Sequence, residues 1–141
     1  MTKTLDMQFI RYINLFGRIT KVMARHCFSY NNMLIFVVPF GDVQQAIGKD
    51  NSNLEKISNI LKKRIRIVAQ PKAKTLADIK SFVTTIVSPV QFTNIELKES
   101  EITITAGREG KARLIGRGRI RQKELSEILE QYFQVKKLNI A

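Results

Sequence analysis

Apolar positions at the start of the chain recur with helical spacing. Leu5, Phe9, Ile13 and Phe16 share one face, with Arg11 and Arg18 elsewhere on the cylinder, so residues 5–19 are expected to form a helix covering a sheet. The pattern then changes. Residues 22–28 and 33–38 read as strands, separated by Ser29-Tyr30-Asn31-Asn32, whose Asn pair tolerates the left-handed backbone of a tight hairpin. Pro39-Phe40-Gly41 ends the second strand, and residues 42–46 make one helical turn. Ser52 or Asn53 is expected to cap a helix carrying Leu54, Ile57, Ile60 and Leu61, followed by a β-branched strand at 65–69.

The second half repeats this plan. Leu76, Ile79, Phe82 and Val83 mark an opening helix stopped by Ser88-Pro89. A hairpin of 90–97 and 101–105 follows, then a helix at 120–133 with Leu125, Ile128, Leu129, Tyr132 and Phe133 inward, and a strand at 135–140. The repeat has a fixed period: Ile47-Gly48-Lys49 and Ile115-Gly116-Arg117 lie 68 positions apart, and the same offset pairs Ile57 with Leu125, Ile60 with Ile128 and Leu61 with Leu129. Two domains follow, 1–70 and 71–141, joined by Gln70-Pro71-Lys72-Ala73. A unit of that size has a marginal core, so the two are expected to pack together.

Charge limits the use of such a duplicated unit. A net charge of +12 and a pI near 10.1 are what a polyanionic partner calls for. The excess is one-sided, unlike the mixed ion-pair surface of a thermophile, and it is shared: eleven basic and four acidic residues in 1–70, thirteen and eight in 71–141. No apolar stretch approaches a membrane span and no signal-peptide pattern opens the chain, so no membrane partner is expected. A single cysteine fits a reducing cytoplasm.

Each glycine turn is the candidate chemistry. Glycine takes positive φ and allows close approach, and the N–H groups of the following helix, aided by its dipole, favour an anion. Lys49 and Arg117 add a positive charge at that place. Two instances at one offset in a basic protein favour a nucleic-acid phosphate over helix punctuation. Around the second turn Arg108, Lys111, Arg113, Arg117, Arg119, Arg121 and Lys123 crowd against Glu109, a run that a solvated helix face would also explain. Ile47, Leu54 and Ile57, with Ile115 in the second unit, are candidates for an apolar groove floor on which bases could lie, ranked below the turn residues because most such side chains are simply core.

The order helix, strand, strand, helix, glycine turn, helix, strand resembles the type II KH domain, whose turn clamps the backbone of a short RNA single strand. The tandem, its size, residues 9–16, Ile35-Phe36-Val37-Val38 and Gln45-Ala46-Ile47-Gly48-Lys49 are similar to the archaeal NusA-like transcription factor family. The resemblance implies an α+β fold of α/β sandwich layers, with two tandem type II KH domains, each a three-stranded sheet covered by helices. It implies RNA contacts at Gly48, Lys49, Asp50 and Asn51, and at Gly116, Arg117, Gly118 and Arg119, with Lys111, Arg113 and Arg121 nearby. The family's turn ends in a second glycine, where this chain has Asn51 and Arg119. Asn accepts left-handed φ and Arg is less permissive, while Gly118 sits one position early, so the first turn is expected to be the better clamp.

Other chemistry is not indicated. His26 and Cys27 are adjacent in a predicted strand and point to opposite faces, which argues against a Cys/His nucleophile or zinc. Residues 107–111 lack the glycine and hydroxyl positions of a nucleotide-hydrolysing loop. The expectation is therefore a monomeric, non-catalytic factor, without metal or cofactor, that binds single-stranded RNA in transcription elongation or termination and, by resemblance, RNA polymerase. A ribosome-associated rRNA-binding factor and an interaction scaffold without RNA binding are the alternatives.

Overall fold

The computed structural model describes residues 7–73 and 75–141, so Leu5 lies outside the described residues. The chain divides into two compact units, Met1–Gln70 and Pro71–Ala141. In each, a three-stranded sheet is covered by helices, an α+β arrangement of the KH-like kind.

The first unit runs α1 (Met7–Thr20), β1 (His26–Tyr30), β2 (Met33–Val38), α2 (Val43–Ile47), α3 (Ser52–Leu61) and β3 (Arg64–Ala69). β2 is central, antiparallel to β1 and parallel to β3. The hairpin needs only two loop residues: Asn31 and Asn32 stand at φ 53° and 61°, which fits the right-handed twist of the strands, and pairing extends to Tyr30 opposite Met33. Residues 22–25 are not strand. The Thr20 hydroxyl donates to the Phe16 carbonyl and accepts from the Val22 N–H, and Lys21 turns left-handed at φ 63°, so α1 ends in a tight loop. Val22 and Ala24 are buried in that loop; their alternation records burial, not pairing.

All six side chains of β2 are buried. Leu34, Phe36 and Val38 join Phe16, Ala46, Ile57 and Ile67 in the helix-side core, where the Phe16 and Phe36 rings stack at 4.4 Å. Along α3 the inward stripe is Leu54, Ile57 and Leu61. Ile60 falls about 90° from its centre at 3.6 residues per turn and is 51% exposed, contrary to the expected pattern.

The second unit runs α4 (Leu76–Val87), β4 (Asn94–Lys98), β5 (Glu101–Thr105), α5 (Arg108–Ile115), α6 (Ile120–Phe133) and β6 (Lys137–Ile140), with β5 central between antiparallel β4 and parallel β6. Thr75 caps α4 by accepting from the Asp78 N–H. Residues 90–93 are not strand: they lie against α5, where the Gln91 carbonyl comes so near Gly110 that a Cβ there would stand 2.8 Å from it. β6 starts late because Gln134, at φ 56°, ends α6 and the Lys136 and Lys137 N–H groups both donate to the Ser100 carbonyl. The 68-residue offset maps β1 onto β4, β2 onto β5 and the first glycine turn onto the second. It holds to the end of α3 and fails at the last strand, because α6 has 14 residues and α3 has 10.

Candidate nucleic-acid interface

Each turn joins a short helix to a longer one, and the two turns share one backbone. Gly48 stands at φ 83°, ψ 166° and Gly116 at φ 74°, ψ 170°. The third positions are left-handed in both, Asp50 at φ 55°, ψ 36° and Gly118 at φ 63°, ψ 21°. So are the fourth, Asn51 at φ 62°, ψ 23° and Arg119 at φ 65°, ψ 23°. The hydrogen bonds match as well: Asn51 N–H to the Gly48 carbonyl at 3.2 Å, Arg119 N–H to the Gly116 carbonyl at 3.1 Å. The expectation of a better-formed first turn is therefore overturned. Two successive left-handed residues are required, and each unit puts a permissive one at a different place, Asn51 fourth in the first and Gly118 third in the second.

Arg119 carries the residual strain. Left-handed φ disfavours a Cβ by roughly 1–2 kcal/mol, against which glycine's extra freedom in the unfolded chain counts for roughly 0.5–1 kcal/mol. Arg119→Gly should raise stability by about 0.5 kcal/mol in thermal denaturation. A fall would show that the Arg119 side chain supports the fold.

Gly48 and Gly116 are required for space as well as for φ. A Cβ on Gly48 would lie 2.8 Å from the Ser52 hydroxyl and 2.9 Å from the Asn53 amide nitrogen; one on Gly116 would lie 2.5 Å from Cγ of Arg121 and 3.0 Å from its backbone nitrogen. Neither Ser52 nor Asn53 is the cap of α3. That position is Asn51, whose side chain bonds no helix N–H, and Asn53 instead donates to the Gln45 carbonyl at 3.3 Å, strapping α3 to α2. Arg119 likewise precedes α6 without a side-chain cap. No side chain caps either helix, and the first N–H of each is taken up within the turn, Ser52 donating to the Lys49 carbonyl and Ile120 to the Arg117 carbonyl, beside exposed basic residues.

The basic side chains divide by helix face. Arg108, Lys111, Ala112 and Ile115 recur at i, i+3, i+4 and i+7 on α5 and line a cavity of about 520 Å³ with Ala106 and Ala141. Ile115 and Lys111 are therefore brought together next to the second turn. Arg113 is not: with Glu109 and Gly110 it lines a second cavity of about 500 Å³ against residues 89–93, and Arg108 reaches both cavities. Arg121 is withdrawn too, its stem beneath Gly116 and its guanidinium paired with Glu124 at 2.7 Å. Lys49, Arg117 and Arg119 are exposed and bound to no other described side chain. Asp50, also exposed, puts a carboxylate into the first turn.

Ile57 is fully buried in the core and forms no groove floor. Ile47 is half-buried against that core, and Leu54 opens into another cavity, with Met33, Ile65, Arg64 and Arg66. Arg64 and Arg66 share one face of β3 at the spacing of alternate strand residues, a signal present in the sequence and missed there; Arg64 donates to the Asn31 carbonyl at 2.7 Å. Partial burial, and then the charge of Arg64, hold the Arg66 pKa below its ordinary value. Burial pushes the Cys27 thiol up to about 12, which keeps it protonated and inert, and lowers the pKa of His26 together with the neighbouring Arg25 charge. Among the described residues no group of three His, Cys, Asp or Glu side chains could hold a metal ion. None of their helices is long and apolar enough to cross a membrane.

No protein-family model matches the chain. It is 28% identical over 104 residues, 74% of this chain and 71% of the relative, to the Probable transcription termination protein NusA of Halococcus morrhuae. It is 26% identical over 95 residues, 67% of this chain and 52% of the relative, to the protein of the same name from Methanococcus vannielii. The crystal structure of APE1850 matches with a TM-score of 0.65 and 26% identity, over 97% of this chain and 100% of that one. By sequence and by fold, the chain is similar to the NusA-like proteins of archaea, and it is built from two tandem KH-like domains.

Proposed function

We propose that this NusA-like chain is a non-catalytic single-stranded RNA-binding protein that engages nascent RNA during transcription elongation or termination in the cytoplasm, in contact with RNA polymerase. The observation that carries the reading is the pair of matching glycine turns, each with left-handed third and fourth residues, a following helix without a side-chain cap and exposed basic side chains. The turn holds the sugar-phosphate backbone, and bases rest on the apolar floor beside it. The names of the relatives supply the transcriptional setting.

Affinity for a single-stranded oligoribonucleotide is expected to fall steeply with salt, with a log–log slope of roughly −0.7 per phosphate contacted, and single strands should outcompete duplexes. A flat salt response, or a preference for duplex, would contradict the reading. Copurification with polymerase subunits supports the transcriptional assignment, and copurification with ribosomal particles alone would move the same RNA-binding surface to rRNA.

A further inference from the structure

We infer that the second unit holds a base-selecting site apart from its glycine turn: the cavity between α5 and residues 89–93, where Glu109, Arg113 and Phe92 receive an amino-bearing base of the bound strand and reject uracil. The inference rests on the RNA reading above and goes beyond it by assigning sequence choice to named residues on the far face of α5.

The cavity is built against one side of one helix. Glu109 and Arg113 stand one turn apart on α5 and border, with residues 89–93, a space of about 500 Å³, a volume usual for small-molecule sites. The opposite wall is fixed. The Val90 N–H donates to the Val87 carbonyl at 3.0 Å, and the N–H and hydroxyl of Thr93 both donate to the Thr105 carbonyl, at 2.7 and 3.0 Å, so the segment is pinned at each end. Its middle closes onto the helix where the Gln91 carbonyl approaches Gly110, and the half-buried Phe92 forms part of the wall.

The charges call for more than a phosphate. Arg108, Glu109 and Arg113 are exposed, border the cavity and are bound to no other described side chain. The guanidinium groups attract the strand, whereas the carboxylate repels phosphate and accepts from an amino group. Cytosine offers such a donor at N4 with acceptors for a guanidinium fork next to it, and guanine offers N1–H and its 2-amino group with O6 and N7 as acceptors. Uracil has no amino group and turns a carbonyl towards the carboxylate. A base held by its edge in this way rests its face on the Phe92 ring. The occupant is the strand already at the second turn, because Arg108 borders both this cavity and the one that Lys111 and Ile115 line beside that turn.

The test uses the full chain and fluorescently labelled RNA 12-mers, all uridine or with one central cytidine or guanosine, read by anisotropy at a single salt concentration. The parent should bind the cytidine and guanosine strands about tenfold more tightly than the uridine strand. Glu109→Gln should bring that ratio down to about one without weakening the uridine strand, since it removes a negative charge. A residue with a merely structural role would lower all three affinities together. Lys111→Ala, on the other face of α5, should weaken all three strands and keep the ratio. Equal affinity of the parent for the three strands, or an undiminished ratio in Glu109→Gln, would overturn the site while leaving RNA binding in place. Free cytidine monophosphate competing as well as the cytidine strand would give the cavity to a free nucleotide and overturn the RNA occupant. A parent that binds no RNA would overturn the function proposed above and this assignment with it.

Discussion

Reversing both charges of the second turn, Arg117→Glu with Arg119→Glu, is expected to weaken single-stranded RNA binding by about 100-fold or more, with little change in melting temperature. Both side chains are exposed and bound to no other described side chain, so the fold loses nothing when they change. A phosphate at the start of α6 would then meet two carboxylates in place of two guanidinium groups. Lys49→Glu should do less harm, because Asp50 already offsets the Lys49 charge within the first turn. Compensation from nearby cations is limited, since Arg121 is held by Glu124 and Arg113 lies on the far face of α5. Titrations of the three variants at one salt concentration decide the order. A larger loss from Lys49→Glu would return the dominant clamp to the first unit.

Gly116→Ala should be the most destabilising change at either turn, by roughly 2–4 kcal/mol, since left-handed strain adds to overpacking. The new methyl would meet Cβ and the backbone nitrogen of Arg121, each at 3.0 Å, which can move only if α6 shifts. At Gly48 the obstacles are the side chains of Ser52 and Asn53, which can rotate away, so Gly48→Ala should cost about half as much. Chemical denaturation combined with amide exchange in α3 and α6 separates the two cases. Equal effects at both glycines, or parent-like protection of α6 in Gly116→Ala, would show that the Arg121 contact does not constrain the turn.

Most of the architecture was legible because the core stripes are regular. Phe36 and Ile57, and their counterparts Ile104 and Leu125, are fully buried, and the Asn31-Asn32 pair marked its hairpin. What misled the reading was apolar character without periodic pairing. Val22 and Ala24 are buried in a loop closed by Thr20, and residues 90–93 are held by the close approach of Gln91 to Gly110, contacts distant enough in sequence to leave no local pattern. At the site, the glycine turns stood out through their repetition, but their equivalence did not. Glycine at one position and asparagine at the next look like different motifs until the backbone shows that both positions are left-handed. The basic cluster around the second turn was visible as composition only. Its division into a groove face with Lys111 and a far face with Arg113 follows from the extent of α5, whose Gly107 and Gly110 obscure the helix in the sequence.

The most direct measurement is an amide chemical-shift titration of the full chain with a short single-stranded RNA. The account predicts that the largest perturbations fall on the N–H groups of residues 49–53 and 117–121, at the turns and the first helical residues behind them, with the second turn saturating first. Binding that leaves those amides unmoved, and shifts resonances elsewhere, would contradict it.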